Sequence, residues 1–343
     1  MAAQTPPDAR AAAAAFGLGR VLGEPVVAAR GELGRIWRLE TTTGRWALKE
    51  LLRPRPEAAS QALADVAFQE AALAAGIPMP RPIVARDGSV LVEVGPPADR
   101  RSVRVYTWVD LRGRDAVLPL EEVAAILGRL HGLAIRDGRP IDSWFRDPVP
   151  PAEWPEVLGA ARAAGQPWAA TLAGLIPTLE AGTVAAAEAF AGNLAVGSGD
   201  GAAGLPITCH LDFNPENVLL DATGRVVVVD WENSGPEHAE QELASAVAEF
   251  VADPADTARF LGAYEAAGGP ASLCDRGSFA MTLIVQARLV RTYAGRALDP
   301  SLGSEDRARA AAWVEDIAAH AFTLERVDGW LGAADRAGLL ATA

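Results

Sequence analysis

Four consecutive valines at 226–229 run straight into Asp230, Trp231 and Glu232. A β-branched run this short, bounded by turn and polar residues, reads as a buried strand. It ends on a carboxylate held by rigid backbone. The turn before it is Asp221-Ala-Thr-Gly224, which makes the strand the second half of a hairpin, and Asn217 stands just ahead of the first half. The hairpin therefore brings Asn217 and Asp230 near each other. His210 and Asp212 lie on the loop leading in. Polar groups crowded this closely beside an apolar strand are costly unless they are paired or hold a ligand.

Around this island the hydrophobic period changes along the chain. Residues 1–20 are Ala-rich and read as a frayed or weakly helical lead-in. From 25 to 51 a strand at 26–28, the turn Gly31-Glu-Leu-Gly34, and alternating segments at 35–41 and 46–51 make an antiparallel meander. Arg53-Pro-Arg-Pro56 breaks it, and 57–75 carries apolar residues at helical spacing up to Gly76. Short strands are expected at 82–85 and 89–94, joined by Arg86-Asp-Gly88, and a third at 102–109 with Val103, Val105, Thr107 and Val109 on one face. Beyond it the period becomes helical. A helix is expected at 119–133, an ordered connector at 136–156, helix at 157–196, a loop at 197–201, and helices throughout after 238. The expected fold is α+β and two-lobed: a lead-in at 1–20, a small antiparallel-sheet lobe at 21–108, and a mainly helical lobe at 109–343 that contains the loop and hairpin 209–232. A chain of 343 residues, half of them hydrophobic, can fill two such lobes.

Charge and composition remove several function classes. With 31 basic and 44 acidic residues the net charge is −13, which lacks the basic footprint of a nucleic-acid binder. No apolar run approaches the roughly 20 residues that span a bilayer, so no membrane partner is expected. The first residues lack the basic and apolar regions of a signal peptide. Two cysteines make no disulfide framework. A cytoplasmic protein is expected, of unknown oligomeric state. The segment 231–343 holds 17 acidic residues and 9 arginines, a net of −8. This favours either a cationic small-molecule partner or simply a solvated acidic surface. Glu232, Glu237, Glu240 and Glu242 are the acids nearest the island in sequence.

Of the 31 basic residues only Lys49 is a lysine. In a chain that uses arginine everywhere else, a lone lysine marks either chance or a position that needs a compact ammonium instead of a planar fork. The chemistry that fits Lys49 and the island together is phosphoryl transfer, which needs positioning, charge neutralisation and one base near the attacking hydroxyl. A loop aspartate can take the hydroxyl proton, and an asparagine and a second aspartate are oxygen donors suited to Mg²⁺.

His210-x-Asp212-x-x-Pro215-x-Asn217, followed by a hairpin into Asp230-Trp-Glu, resembles the aminoglycoside phosphotransferase and choline-kinase-like family of small-molecule kinases. The likeness spans roughly 21–340 but is motif-specific only at Lys49, 210–217 and 230–244. It implies a protein-kinase-like fold and transfer of the γ-phosphate of ATP to a small-molecule hydroxyl. By that resemblance Asp212 is the catalytic base and His210 orients its loop. Asn217 and Asp230 bind Mg²⁺, and Lys49 holds the ATP phosphates. Asp65 on helix 57–75 is the lysine's ion-pair partner by spacing, with Glu70 the other candidate. Gly31 and Gly34 cover the phosphates, or form a plain hairpin turn. Backbone at 106–109, including Tyr106 and Trp108, holds the adenine.

The chain departs from the family pattern in places. Its glycine turn lacks a third glycine, and Glu237-His-Ala and Glu242-Leu-Ala stand where Gly-Asp-Pro and Asp-Leu-Ala are usual. Two other readings compete. A protein kinase is disfavoured by Asp-Trp-Glu in place of Asp-Phe-Gly and by the lack of an Ala-Pro-Glu element. A non-catalytic nucleotide binder on the same fold is disfavoured by the intact set Lys49, Asp212, Asn217 and Asp230.

Overall fold

In the computed structural model the described residues are 5–31, 34–52, 58–196 and 205–341. Residues 1–4, Glu32 and Leu33 of the glycine turn, the break at 53–56 and the loop at 197–201 lie outside them. The chain divides into two compact units, Met1–Pro119 with Pro215–Ser234, and Leu120–Asn214 with Gly235–Ala343.

The first unit is built on an antiparallel sheet. Its strands are β1 (Val26–Arg30), β2 (Gly34–Thr41), β3 (Gly44–Leu51), β4 (Pro82–Ile83), β5 (Val92–Val94) and β6 (Arg101–Thr107). Their order is β1-β2-β3-β6-β4, with β5 also on β6. The two short strands expected at 82–85 and 89–94 thus pair with β6 and not with each other. Alternation along β3 sends Leu48 to one face and Lys49 to the other. Leu48 joins Trp37, Leu39, Val103 and Val105 in a core closed by helix α1 (Ala9–Phe16). Residues 1–20, expected to be a frayed or weakly helical lead-in, hold a capped helix: Asp8 caps α1 and Gly17 ends it at φ +70°, with Ala12, Ala13 and Phe16 buried. Alanines favour helix and let it lie close to the sheet. Helix α2 (Ala58–Ala74) lies within the expected 57–75.

The hairpin identified from the four valines forms as β8 (Val218–Leu220) and β9 (Val226–Val228), and it groups with the sheet, not with the helices. Backbone bonds explain why. Val228 donates to the Pro78 carbonyl at 2.9 Å, Arg112 to Leu220 at 2.8 Å and Ala222 to Asp110 at 2.8 Å. The division therefore falls inside the island, between Asn214 and Pro215, and again after Ser234.

The second unit is mainly helical: α3 (Leu120–Gly132), α4 (Glu153–Ala163), α5 (Ala169–Val196), α6 (Ala239–Phe250), α7 (Thr257–Ala266), α8 (Ala280–Leu298), α9 (Ser304–Ala319) and α10 (Leu324–Arg336). A two-stranded pair, β7 (Ile207–Cys209) with β10 (Gly235–Glu237), carries the start of the island. The helix expected over 157–196 is broken at Gly165-Gln-Pro167, where φ of Gly165 is +63°. Trp154 of α4, Trp168 just ahead of α5, and Leu172, Leu175 and Leu179 of α5 pack on Val290 and Ala294 of α8 and Val314 of α9. One correction concerns α5. Its stretch Ala169–Phe190 is apolar and long enough by composition to cross a membrane, contrary to the expectation that no run is. Its Leu and Ala face belongs to this helical core.

Candidate active site

The β8–β9 ladder sets the first pair of candidate ligands. Val218 pairs with Val228, and one step further the Val229 amide donates to the Asn217 carbonyl at 2.8 Å. Asn217 and Asp230 thus sit at the open end of one hairpin, as the valine run predicts. Asp230 takes the left-handed conformation, φ 61° and ψ 62°, uncommon for a residue with a side chain. That bend leads into a single 3-10 turn, Trp231–Asn233, whose Trp231 is buried edge-on against Phe68 of α2 at 5.5 Å. The aromatic anchor fixes the turn that carries Asp230 and Glu232.

Lys49, on the sheet face opposite Leu48, meets both carboxylates of that turn. Its Nζ donates to Asp230 Oδ1 at 2.7 Å and to Glu232 Oε2 at 2.6 Å. Burial alone would lower the lysine's pKa. The charges of Glu232 and Asp230 outweigh it and hold the ammonium above its ordinary range, so it stays protonated. The expected pair with Asp65 does not form. Asp65 is buried and accepts from Arg104 Nη1 at 2.9 Å, Gln61 Nε2 at 2.7 Å and Ser234 Oγ at 3.0 Å. Both of its oxygens are taken. Burial pushes its pKa up to about 6, with Arg104 opposing and Glu232 adding to the rise. Glu70, the other candidate, is exposed and faces Arg81 at 3.4 Å.

Gly31 and Gly34 close the β1–β2 hairpin, with the Gly31 amide on the Gly34 carbonyl at 3.0 Å. A Cβ on Gly34 would stand 3.0 Å from the Glu50 carbonyl and 3.3 Å from Lys49 Cε, so this glycine makes room for the lysine stem. Tyr106, next to last in β6, donates its hydroxyl to Glu232 Oε1 at 2.9 Å. Trp108 has its amide on the Arg45 carbonyl at 3.2 Å and its indole N–H on Asp110 at 2.7 Å.

His210 and Asp212 belong to the helical unit. His210 is fully buried, and its Nδ1 accepts the Asp212 amide at 3.3 Å. Asp212 Oδ1 accepts from Asn214 Nδ2 at 2.7 Å. Between His210 and Asp212, Leu211 is in the left-handed region at φ 62°, a strained conformation for a leucine. The strain is held by Glu242 of α6, whose buried carboxylate accepts the backbone N–H groups of Leu211 and His210, the latter at 3.2 Å. Its Oε2 also meets His131 Nε2 at 2.8 Å, and His131 Nδ1 meets the Tyr264 hydroxyl at 2.8 Å. Burial raises the Glu242 pKa, but the His131 hydrogen bond and charge, with His210 and the Leu211 amide, hold it below the usual range.

The acids nearest the island therefore have internal partners. Glu237 is fully buried on Arg146, Glu240 bonds Ser278, Glu242 holds the loop, and Glu232 holds Lys49. Sequence reading did not find Arg104, nor that Glu232 is the lysine's partner. Their only signal was a charged residue inside an apolar strand and a glutamate two places after Asp230.

The chain matches the phosphotransferase enzyme family over residues 26–279. Solved structures share its fold. A spectinomycin phosphotransferase in complex with ADP and spectinomycin has a TM-score of 0.61 at 11% identity, covering 90% of this chain and 92% of that one. An aminoglycoside phosphotransferase from Alicyclobacillus acidocaldarius subsp. acidocaldarius DSM 446 has a TM-score of 0.56 at 16% identity, covering 99% and 98%. A microcompartment-associated aminopropanol kinase has a TM-score of 0.54 at 16% identity, covering 92% and 94%. A comparison with curated protein sequences gives no match. The fold is the kinase-like one expected, and with the family matched over most of its length, the chain belongs to the phosphotransferase enzyme family.

Proposed function

We propose that this protein transfers the γ-phosphate of ATP to a hydroxyl of a small molecule, with Mg²⁺. The observation that carries the reading is the meeting of Lys49 with Asp230 at 2.7 Å, between residues 181 apart in the chain. A compact ammonium beside a strand-end carboxylate is a set suited to a nucleotide's phosphates and their metal. Asn217 and Asp230 offer the hard oxygen donors that Mg²⁺ prefers, and the half-exposed Asp230 side chain can accept an ion. The ion, when bound, supplies charge neutralisation on the phosphate oxygens.

The remaining work belongs to the chain's own groups. The ammonium of Lys49 keeps its bond to Glu232 and turns from Asp230 toward the α- and β-phosphates. Asp212 takes the proton of the acceptor hydroxyl. As that proton leaves, the acceptor oxygen bonds to the γ-phosphorus, the bond from the γ-phosphorus to the bridging oxygen breaks, and ADP departs. Asn214 and the loop amides held by Glu242 keep the Asp212 carboxylate in place. A preference for cationic acceptors draws no support from Glu232, Glu237, Glu240 or Glu242, since their carboxylates are engaged within the fold.

The test is ADP release from MgATP across aminoglycosides, amino alcohols, sugars and nucleosides, repeated with Asp212→Asn. One acceptor class should stimulate release by the wild type and not by the variant. Stimulation that survives Asp212→Asn would remove the proposed base, and ATP binding without turnover on any acceptor would favour a nucleotide-dependent binder.

A further inference from the structure

Lys49 and Arg104 are cross-strand partners on β3 and β6, two cations directly opposite on one sheet face. Such a pair repels unless acids intervene. Glu232 lies between them: Oε2 is 2.6 Å from Lys49 Nζ, while Oε1 accepts the Tyr106 hydroxyl at 2.9 Å and is 3.7 Å from Arg104 Nη1. Behind Arg104 stands Asp65, at 2.9 Å, whose other oxygen is filled by Gln61 and Ser234. Gln61 also donates to the Ser234 carbonyl at 2.9 Å. Helix α2 is thereby tied to the 230–234 segment and to β6, but not to the lysine. Arg104 is 3% exposed, and its Nη2 has no hydrogen-bond partner among the described residues, so its cost of burial is met by these acids and by the Tyr106 ring, whose centroid is 5.6 Å from the guanidinium carbon.

We infer that Glu232 is the carboxylate that positions Lys49, and that Arg104 is a positioning residue that holds Glu232 there. Asp65 serves Arg104 and reaches the lysine only through the chain Asp65–Arg104–Glu232–Lys49. The inference rests on the reading of Lys49 as the phosphate-binding lysine. It differs from a direct helix-acid pair in which residue matters most. In a direct pair, loss of the Asp65 charge would leave Lys49 loose and Glu232 would be dispensable. In the chain described here the order is reversed. Glu232 sets where the ammonium rests, Tyr106 and Arg104 fix the Glu232 rotamer, and Asp65 acts at one further remove.

The experiment is calorimetric titration of the whole 343-residue chain with MgADP, followed by KM for ATP and kcat on any active acceptor. The proteins compared are wild type, Glu232→Gln, Arg104→Met, Arg104→Lys and Asp65→Asn, each checked for folding by circular dichroism. Glu232→Gln is nearly isosteric, so it keeps the inference testable if Arg104→Met does not fold. Glu232→Gln should weaken MgADP by about tenfold or more, the scale of one charge-assisted hydrogen bond. Arg104→Met should weaken it less, Arg104→Lys should recover part of the loss, and Asp65→Asn should have the smallest effect. KM for ATP should rise more than kcat falls. An Asp65→Asn effect as large as that of Glu232→Gln, or Glu232→Gln binding like wild type, overturns the inference. Failure of the wild type itself to bind MgADP instead removes the nucleotide reading, and the positioning role with it.

Discussion

The Val229 amide donates to the Asn217 carbonyl at 2.8 Å, and this one bond fixes both candidate metal ligands at the end of the same hairpin. Asn217 stands just before one strand and Asp230 two residues past the end of the other. Their separation is set by the ladder and not by flexible loops, which suits a site that must hold an ion at a defined distance from a phosphate.

That arrangement predicts unequal effects on metal use. Asp230→Asn removes a full charge and should lower turnover by about 10²–10³, the scale seen when one electrostatic stabiliser is lost. Asn217→Ala keeps the charge and should act mainly by raising the Mg²⁺ concentration needed for half-maximal rate. A magnesium titration of each variant checks this.

Lys49 is the only lysine in the chain, so amine-selective acylation followed by peptide mass spectrometry reports on it alone apart from the terminal amine. MgATP should protect Lys49 from acylation. Lys49→Arg should not restore function, because a guanidinium cannot replace a compact ammonium between two carboxylates.

Gly34→Ala places a methyl 3.3 Å from the Lys49 stem and 3.0 Å from the Glu50 carbonyl. Nucleotide affinity should fall while thermal stability changes little, as read by calorimetry and a melting curve on the same sample. The change tests whether the glycine turn matters through the lysine.

Glu242→Ala should be the most damaging single change in the helical unit. It strips His131 and two loop amides of a buried acceptor, a loss of about 3–5 kcal/mol by the scale of broken buried pairs. Glu242→Gln should fold and still bind nucleotide but turn over slowly, since the Leu211 strain beside Asp212 loses its anchor. The depressed pKa of Glu242 means that its carboxylate stabilises the fold above the ordinary carboxylate value. That contribution is lost as pH falls through its folded pKa, below the usual range.

Asp65 titrates in the opposite sense. Its pKa rises from about 3.9 unfolded to about 6 in the fold. Between those values the native state holds the extra proton, so stability from this group declines as pH rises. Denaturant melts at pH 4.5 and pH 7 should show wild type losing stability relative to Asp65→Asn across that interval.

The hairpin, the meander, helix α2 and the motif positions are legible in the sequence because each rests on local signals: a β-branched run, a Gly turn, helical spacing, a fixed motif length. What was not legible depends on register and distance. Nothing local shows that Lys49 lies opposite Arg104, since strand register between β3 and β6 is decided by packing on both faces. Arg104 in an alternating strand reads as a solvent-facing residue until α2 and the 230–234 turn are seen to cover it. The partner of Lys49 is 183 residues away. Helix α1 was legible only as a frayed or weakly helical lead-in, because nothing local in an alanine-rich stretch reveals that Phe16 and two alanines close the sheet core.

The most direct test of the central claim is ³¹P NMR of the products formed from MgATP and the stimulating acceptor. The wild type should give ADP and a new phosphate monoester in equal amounts, and Asp212→Asn should give about 10²–10⁴ less of the monoester, the range of a general base. Inorganic phosphate with no monoester, or an ester formed equally well by Asp212→Asn, would contradict the account.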